Sequence, residues 1–498
     1  MKKTKESFFF CTTKNKEENY KNEKWLWMNM NREEDSSHTE HLDAFFHPRS
    51  VAVIGASNKK DSLGNVTFSL FYHGPFAGDV YPVSVSSEEI QGVKAYRSVR
   101  DIPGDVDLAV IVIPARAVNP VMRECVEKGI PACVIITGGF SEVGEVEREQ
   151  ELRTIINESD IRVIGPNCVG IYVPATGVDT VFLPKEKMGR PPAGHIGLIS
   201  QSGAFVSAVL DWFAAVGLGV SKVVSFGNKI DVNYSDLITY LSEDDETRVI
   251  TIYMEGLEYG RMFMKAAREA TKKTPIVILK AGRSRAGAAA AASHTGSLAG
   301  SDRVYDTAFK QSGIIRTYSS EELFDVSKAF LWQPLPSGAR IAIITDGGGS
   351  GVMAADALED WGLVLAPLQE HTKEHMRASF PPYCTVKNPI DLTGDADIER
   401  YEIALRAVLD DENVDAIVLI FLFQVPTLGD DAVERAVALL QQGTKPVVVV
   451  AAGGTYTQRR VEELEAAGLP CYQTPERAVR AMGALCSHGA WRQKHSQK

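Results

Sequence analysis

Three times the chain drives a short, apolar, β-branched run into a glycine turn and on into a helical pattern. The runs are "SVAVIGAS" from Ser50, "HIGLISQSGAF" from His195 and "IAIITDGGGSG" from Ile341. Strands that are apolar on both faces belong to parallel sheets, because the helical crossovers between parallel strands cover both sides. Further runs, "GDVYPVSV", "VDLAVIVIPA", "PACVIITGG" and "IRVIGPN", follow the first, with helical stretches at 117–128 and 144–158 among them. The alternation predicts α/β units with ligands gathered at the carboxyl ends of the strands.

Two proline-rich breaks divide the chain, "PKEKMGRPPAGH" at 184–195 and "WQPLPSGAR" at 332–340. The blocks on either side of the second break echo each other. "GNKIDVNYSDLITYL" matches "KNPIDLTGDADIERYEIAL", each with Asn-x-x-Asp (Asn228/Asp231 and Asn388/Asp391), and "PIVILKAGRS" matches "PVVVVAAGGT". The expected organisation is a Rossmann-like domain over 42–185, then two flavodoxin-like parallel-sheet domains over 190–330 and 337–485. Residues 1–41, rich in Lys, Glu and Asn and without hydrophobic periodicity, read as a disordered extension or a start placed too early.

Bulk properties exclude several classes. A net charge of −11 argues against a nucleic-acid binder, which needs a basic face. Seven cysteines without a C-x-x-C pair read as reduced thiols of a cytoplasmic protein. No apolar run approaches the roughly 18–20 residues of a membrane span. The first turn, "VAVIGASNKKDSLGN", lacks the G-x-G-x-x-G spacing, and the second strand ends Val83-Ser84-Val85 with no acid for a ribose. A nicotinamide enzyme is thereby disfavoured, and the turn is either a phosphate seat or a plain strand–helix junction.

"AAAAASHTGSLAGSD", residues 288–302, mounts His294 among side chains too small to pack. Core filler would need apolar neighbours, and a metal site would need ligands nearer than Asp302. General base and nucleophile remain. The small neighbours favour a nucleophile on a segment that travels, taking a phosphoryl group at one place and releasing it at another, although the alanines could also close a helix. Ser202, Gly203 and Ala204 stand where a strand turns into a helix, and free N–H groups there suit an anion. Gly347, Gly348 and Gly349 form a second such start, and opposed helix starts around one phosphate would use the duplication. The alternative for the turn at Ser202–Ala204 is an ordinary glycine turn. Glu255 closes "ITIYMEGL" at the ligand edge of a strand, positioned to orient an imidazole, with Glu258 as the fallback.

Over residues 42–485 the chain resembles the ADP-forming acyl-CoA synthetases, akin to the α subunits of succinyl-CoA synthetase. The motifs that carry the resemblance are "IGAS", "VYPV", "IVIPA", "GGFSEVG", "GPNCVGI", "SQSGAF" and "SHTGSLAGSD"; Ser84 departs from the family's Asn-Pro continuation. The resemblance implies a CoA pocket lined by Gly55, Ala56, Ser57, Ile113, Pro114 and Ala115. It also implies phosphorylation at His294, phosphate seated on Ser202–Ala204, and Glu255 holding the ring. The reaction implied is acyl-CoA + phosphate + ADP ⇌ carboxylic acid + CoA + ATP, on small carboxylic acids. No P-loop or ATP-grasp pattern occurs in the chain, so ADP/ATP and Mg²⁺ are expected on a separate ATP-grasp β subunit, in an α2β2 assembly. No metal, nucleic acid or membrane is expected on this chain. The alternative is a non-catalytic or regulatory CoA-binding protein, which would be expected to lose the histidine.

Overall fold

The computed structural model describes residues 42–295 and 301–495, with backbone alone for 291–295. Residues 1–41, read above as an extension, lie outside the described residues.

Three parallel five-strand arrays repeat one strand order. In the first, the spatial sequence is Asp79–Val83, Ser50–Ile54, Leu108–Ile111, Ala132–Ile135, Arg162–Ile164. In the second, it is Val220–Ser225, Ala193–Ser200, Val249–Met254, Ile276–Lys280, Ile315–Thr317. In the third, it is Val364–Leu365, Arg340–Thr345, Ala416–Phe421, Val447–Ala451, Cys471–Tyr472. Each array runs second, first, third, fourth, fifth in chain order, the flavodoxin-like doubly wound order. The mixed α/β class expected from the sequence is the observed one.

Two features depart from simple repetition. The strands Gly170–Val173 and Val178–Asp179 leave the first unit and extend the second sheet antiparallel, pairing Ile171 with Val224. The expected boundary at 185 therefore falls after the chain has already joined the next sheet. In the third unit the second-strand position is shared by Val364–Leu365 and Ile390–Asp391, both paired with Arg340–Thr345.

Alternation along the central strands sets the layering. Val51 and Val53 face one apolar core and Ala52 and Ile54 another. Ile199, Val224, Ile250 and Ile252 of the middle sheet join the core of Val51, whereas Ile196, Leu198, Val223 and Val249 join that of Ile341 and Ile343. Because successive side chains point to opposite faces, the middle sheet packs against the first unit on one side and the third on the other. Polar bolts lie at both seams. Arg162 reaches Asp231 at 3.0 Å and Asp236 at 3.2 Å, and Asp325 accepts from Arg477 at 2.7 Å and from Arg480 at 3.2 Å. The last two sit on the long helix Pro475–His495.

Candidate active site

In a doubly wound sheet a crevice opens where the strand order reverses, between the first and third strands of each unit. In the first unit that point lies between Gly55 and Ile113. Gly55 has φ +97, and a Cβ there would meet the Val112 carbonyl oxygen at 2.6 Å. The N–H groups of Gly55 and Ala56 are both taken by the Val83 carbonyl. The following helix begins only at Leu63, capped by Ser62, whose hydroxyl accepts from Asn65 N–H. A Cβ on Gly64 would fall against the Gly55 carbonyl oxygen. Glycine at 64 is thus the close-packing residue between helix and strand end, nine positions from Gly55. Across the crevice, Pro114 opens a short 3₁₀ turn at Ala115–Ala117, and Thr137 Oγ1 donates to the Ile113 carbonyl at 2.7 Å. Gly55, Ala56, Ser57, Ile113, Pro114 and Ala115 therefore stand on the two lips of one crevice. Donors for an anion at this turn come from beyond Ala56, and not from the glycine itself.

The second unit's reversal lies between Ser200 and Glu255. Ser200 Oγ accepts from Ser202 N–H at 3.1 Å and donates to the Ser202 carbonyl at 2.9 Å, closing the turn tightly. Ser202 caps the helix Gly203–Ala215 by accepting from Phe205 N–H. The remaining first-turn donors are those of Gly203 and Ala204, on a helix with no acid in its first turn. Gly203 packs against Val169, where a Cβ would come within 2.7 Å of a methyl carbon. Opposite, Glu255 is 7% exposed, and its Oε2 has no hydrogen-bond partner among the described residues. Its backbone is held at both polar groups. Gln201 Oε1 accepts from Glu255 N–H at 2.7 Å, and Lys280 Nζ donates to the Glu255 carbonyl at 2.8 Å. Burial lowers the Lys280 ammonium below its ordinary pKa, and the ring of Tyr305 lies 4.7 Å beneath it. Tyr253, half-buried beside Glu255, is pushed up to about 12, chiefly by burial and then by that carboxylate. Glu258, the fallback, is instead paired with Lys229 at 3.1 Å.

The third unit repeats the turn atom for atom. Thr345 Oγ1 accepts from Gly347 N–H at 3.0 Å and donates to the Gly347 carbonyl at 2.9 Å. The helix Gly348–Asp360 follows, with no side-chain cap at Gly347. A Cβ on Gly348 would sit 2.7 Å from Asp391 Oδ2, whereas Gly349 is open.

His294 lies in the last turn of the helix Arg285–Thr295, so the alanine run forms helix, as the residue type of highest helix propensity should. Of the two readings of the alanine run, the one in which it closes a helix is observed; the His294 side chain and residues 296–300 are outside the described residues. Among the described residues no cluster of three or more His, Cys, Asp or Glu could hold a metal, and no helix is long and apolar enough to cross a membrane.

Sequence reasoning passed over Gln201, Lys280 and Tyr234. It quoted the glutamine inside "SQSGAF" without assigning it work. It also treated Asn228 and Asn388 as equivalents. Asn228 Nδ2 reaches Glu142 at 2.8 Å and Glu149 at 2.9 Å in the first unit, whereas Asn388 bonds Ile341, Ile343 and Ala366 within its own sheet.

Three family descriptions match: a CoA binding domain over residues 49–174, a succinyl-CoA ligase like flavodoxin domain over 193–330, and a ligase-CoA domain over 341–494. The subunit alpha of acetate–CoA ligase (ADP-forming) II from Pyrococcus furiosus is 43% identical over 453 residues, 89% of this chain and 97% of that one. The acetate–CoA ligase (ADP-forming) of Methanocaldococcus jannaschii is 40% identical over 90% of this chain and 63% of its own length. Among solved structures, the dinucleotide-forming acetyl-coenzyme A synthetase 1 of Ca. Korarchaeum cryptofilum, in complex with phosphate and ADP, superposes with TM-score 0.86 at 36% identity. That match covers 92% of this chain and 98% of the other.

Proposed function

The chain belongs to the ADP-forming acetate–CoA ligase family as a member of the alpha-subunit type, and from that premise we propose that His294 carries a phosphoryl group between an acyl-CoA site here and an ADP site on a partner. The chain is an acid–thiol ligase with a CoA-binding domain. The reading is acyl-CoA + phosphate + ADP ⇌ carboxylic acid + CoA + ATP, in the cytoplasm, on a small carboxylic acid.

CoA lies in the crevice of Gly55, Ala56, Ser57, Ile113, Pro114 and Ala115. A phosphate oxygen attacks the thioester carbonyl; the C–S bond breaks and the thiolate leaves. Gly203 and Ala204 N–H groups and the Ser202 turn hold the phosphoryl oxygens, with Gly347–Gly349 approaching from the third unit. An imidazole nitrogen of His294 attacks phosphorus, and the P–O bond to the acyl group breaks to release the carboxylate. Glu255 accepts the N–H of the other ring nitrogen, fixing the tautomer and stabilising the charge that develops on the ring. Nucleophilic transfer then passes the group to ADP, bound with Mg²⁺ on an ATP-grasp β subunit in an α2β2 assembly.

The observation that carries this reading is Glu255: a buried carboxylate at the strand-order reversal, clamped by its backbone, with an oxygen free of partners among the described residues. The test is to purify the chain with its ATP-grasp partner and assay ATP formation from ADP, phosphate and a panel of acyl-CoA thioesters. Release of one ATP per thioester consumed is expected. Thioester consumption without ATP, or binding of CoA without turnover, would overturn it.

A further inference from the structure

The glycine turns of the second and third units share more than their backbone. In each, the residue between the strand end and the cap turns its side chain sideways, onto the end of the neighbouring strand. Gln201 Oε1 accepts from Tyr234 OH at 2.8 Å, Glu255 N–H at 2.7 Å and Gly256 N–H at 2.8 Å. Asp346 accepts from Leu422 N–H at 3.1 and 3.2 Å through its two oxygens, and from the hydroxyl of Tyr401. Both tyrosines are fully buried. Both hydroxyls also lie by a carbonyl two residues before the held N–H: Tyr253 at 3.4 Å, Ile420 at 2.8 Å. One latch has been built twice. What it holds differs: a carboxylate residue, Glu255, in one copy and Leu422 in the other.

We infer that Gln201 is the positioning residue for Glu255, tying the carboxylate's strand end to the Ser202–Ala204 turn across the crevice. This rests on the reading of Glu255 given above. A carboxamide oxygen has two lone pairs, so three donors saturate it, and the residue is buried. Gln201 itself sits between Ser200 and Ser202, which are bonded to each other. A shift of the Glu255 backbone therefore moves the turn with it. Lys280 grips the Glu255 carbonyl from the far side, so both backbone polar groups are held, while the carboxylate meets Tyr253 and keeps Oε2 without a partner among the described residues.

The difference between the copies explains the residue types. A carboxylate can accept from such donors, and in the third unit Asp346 takes one backbone N–H and the tyrosine hydroxyl. Asp346 shows the consequence: burial raises its carboxyl to about 6, against the opposing pull of its Leu422 and Tyr401 bonds, and Asp391 adds to the rise. Beside Glu255, such a charge would lift the pKa of the acid that must stay ionised to hold an imidazolium. A neutral amide makes its three bonds without that penalty. The third unit has Leu422 at the matching place, so an aspartate there perturbs no such acid.

The experiment uses the chain complexed with its ATP-grasp partner and compares Gln201→Glu, Gln201→Met, Asp346→Asn, Glu255→Gln and Tyr234→Phe by pH–rate profile and melting temperature. Gln201→Glu keeps all three acceptor bonds. It is expected to melt as the parent does and keep KM for the thioester within about twofold. The acid limb of kcat should move up by about one pH unit, a loss that approaches tenfold below the parent limb's midpoint and vanishes on the alkaline plateau. Gln201→Met, which has no comparable acceptor, should lose about 10²-fold in kcat across the whole range. Asp346→Asn should leave the acid limb in place. Should Gln201→Met fail to fold, Tyr234→Phe gives the second reading, a several-fold loss in kcat with KM kept. A Gln201→Glu profile that overlays the parent's, or an equal displacement in Asp346→Asn, overturns the inference. If Glu255→Gln reacts at the parental rate, the role of Glu255 has failed; if it is impaired while Gln201→Glu is unchanged, the positioning role alone has failed.

Discussion

At the residue scale the chemistry is concentrated in a few groups that small residues allow to approach. Glu255→Gln keeps the size of the side chain and the backbone anchors of the residue but removes the charge that the proposed mechanism sets against the ring. It is expected to lower kcat by about 10²–10³-fold with KM for the thioester little changed, measured by steady-state ATP formation. Gly64→Ala acts differently, because its Cβ would collide with the Gly55 carbonyl oxygen, which is backbone and cannot swing aside. A loss of about 1–3 kcal/mol in stability is expected, with weaker CoA binding, read by calorimetric melting and by titration with CoA. Glu255 was legible in the sequence because an acid closing an apolar strand is conspicuous. Gly64 was visible only as a misplaced glycine, because the helix begins at Leu63, beyond the span of a G-x-G-x-x-G turn that starts at Gly55. Gln201 was not legible: an acceptor's partners lie 33 and more positions away, and nothing in "SQSGAF" announces them.

At the element scale the strand-order reversals organise the site, and they follow from the repeated strand–turn–helix pattern. The pattern foretold the parallel strands. It did not foretell that Gly170–Val173 crosses to the next sheet, since its apolar run reads alike in either. The helix Pro475–His495 packs against the helices Ser320–Trp332 and Gly348–Asp360, joining the second and third units. His488 on that helix is 2% exposed, edge-on to Phe330, with Nδ1 facing the Gly313 carbonyl at 3.3 Å. Burial lowers its pKa from the ordinary 6.5 to about 4. The unfolded chain therefore binds the proton more readily than the folded one. Stability from this group is complete above about pH 6.5 and is lost as pH falls toward 4, by about 2–3 kcal/mol. Denaturant titrations at pH 7 and 4.5 should show that loss, and His488→Leu should flatten the difference while the carboxylates keep theirs.

At the scale of the whole molecule, three sheets of one topology alternate with four apolar cores, so the three crevices are carried on a continuous packed body. The sequence signalled the duplication of the second and third units through their echoed motifs. It did not reveal that the first shares their strand order, because its turns and glycine spacing differ. The chain spans 63% of the length of the M. jannaschii relative and 97% of that of the P. furiosus alpha subunit. The central claim is that one imidazole carries the phosphoryl group. Its most direct test is to incubate the complex with γ-³²P-ATP and Mg²⁺ and follow the label on this chain. The account predicts a label that survives alkali, is released by acid, is discharged by CoA plus the carboxylic acid, and is absent from His294→Ala. A chain that takes no such label, or one still labelled in His294→Ala, would contradict it.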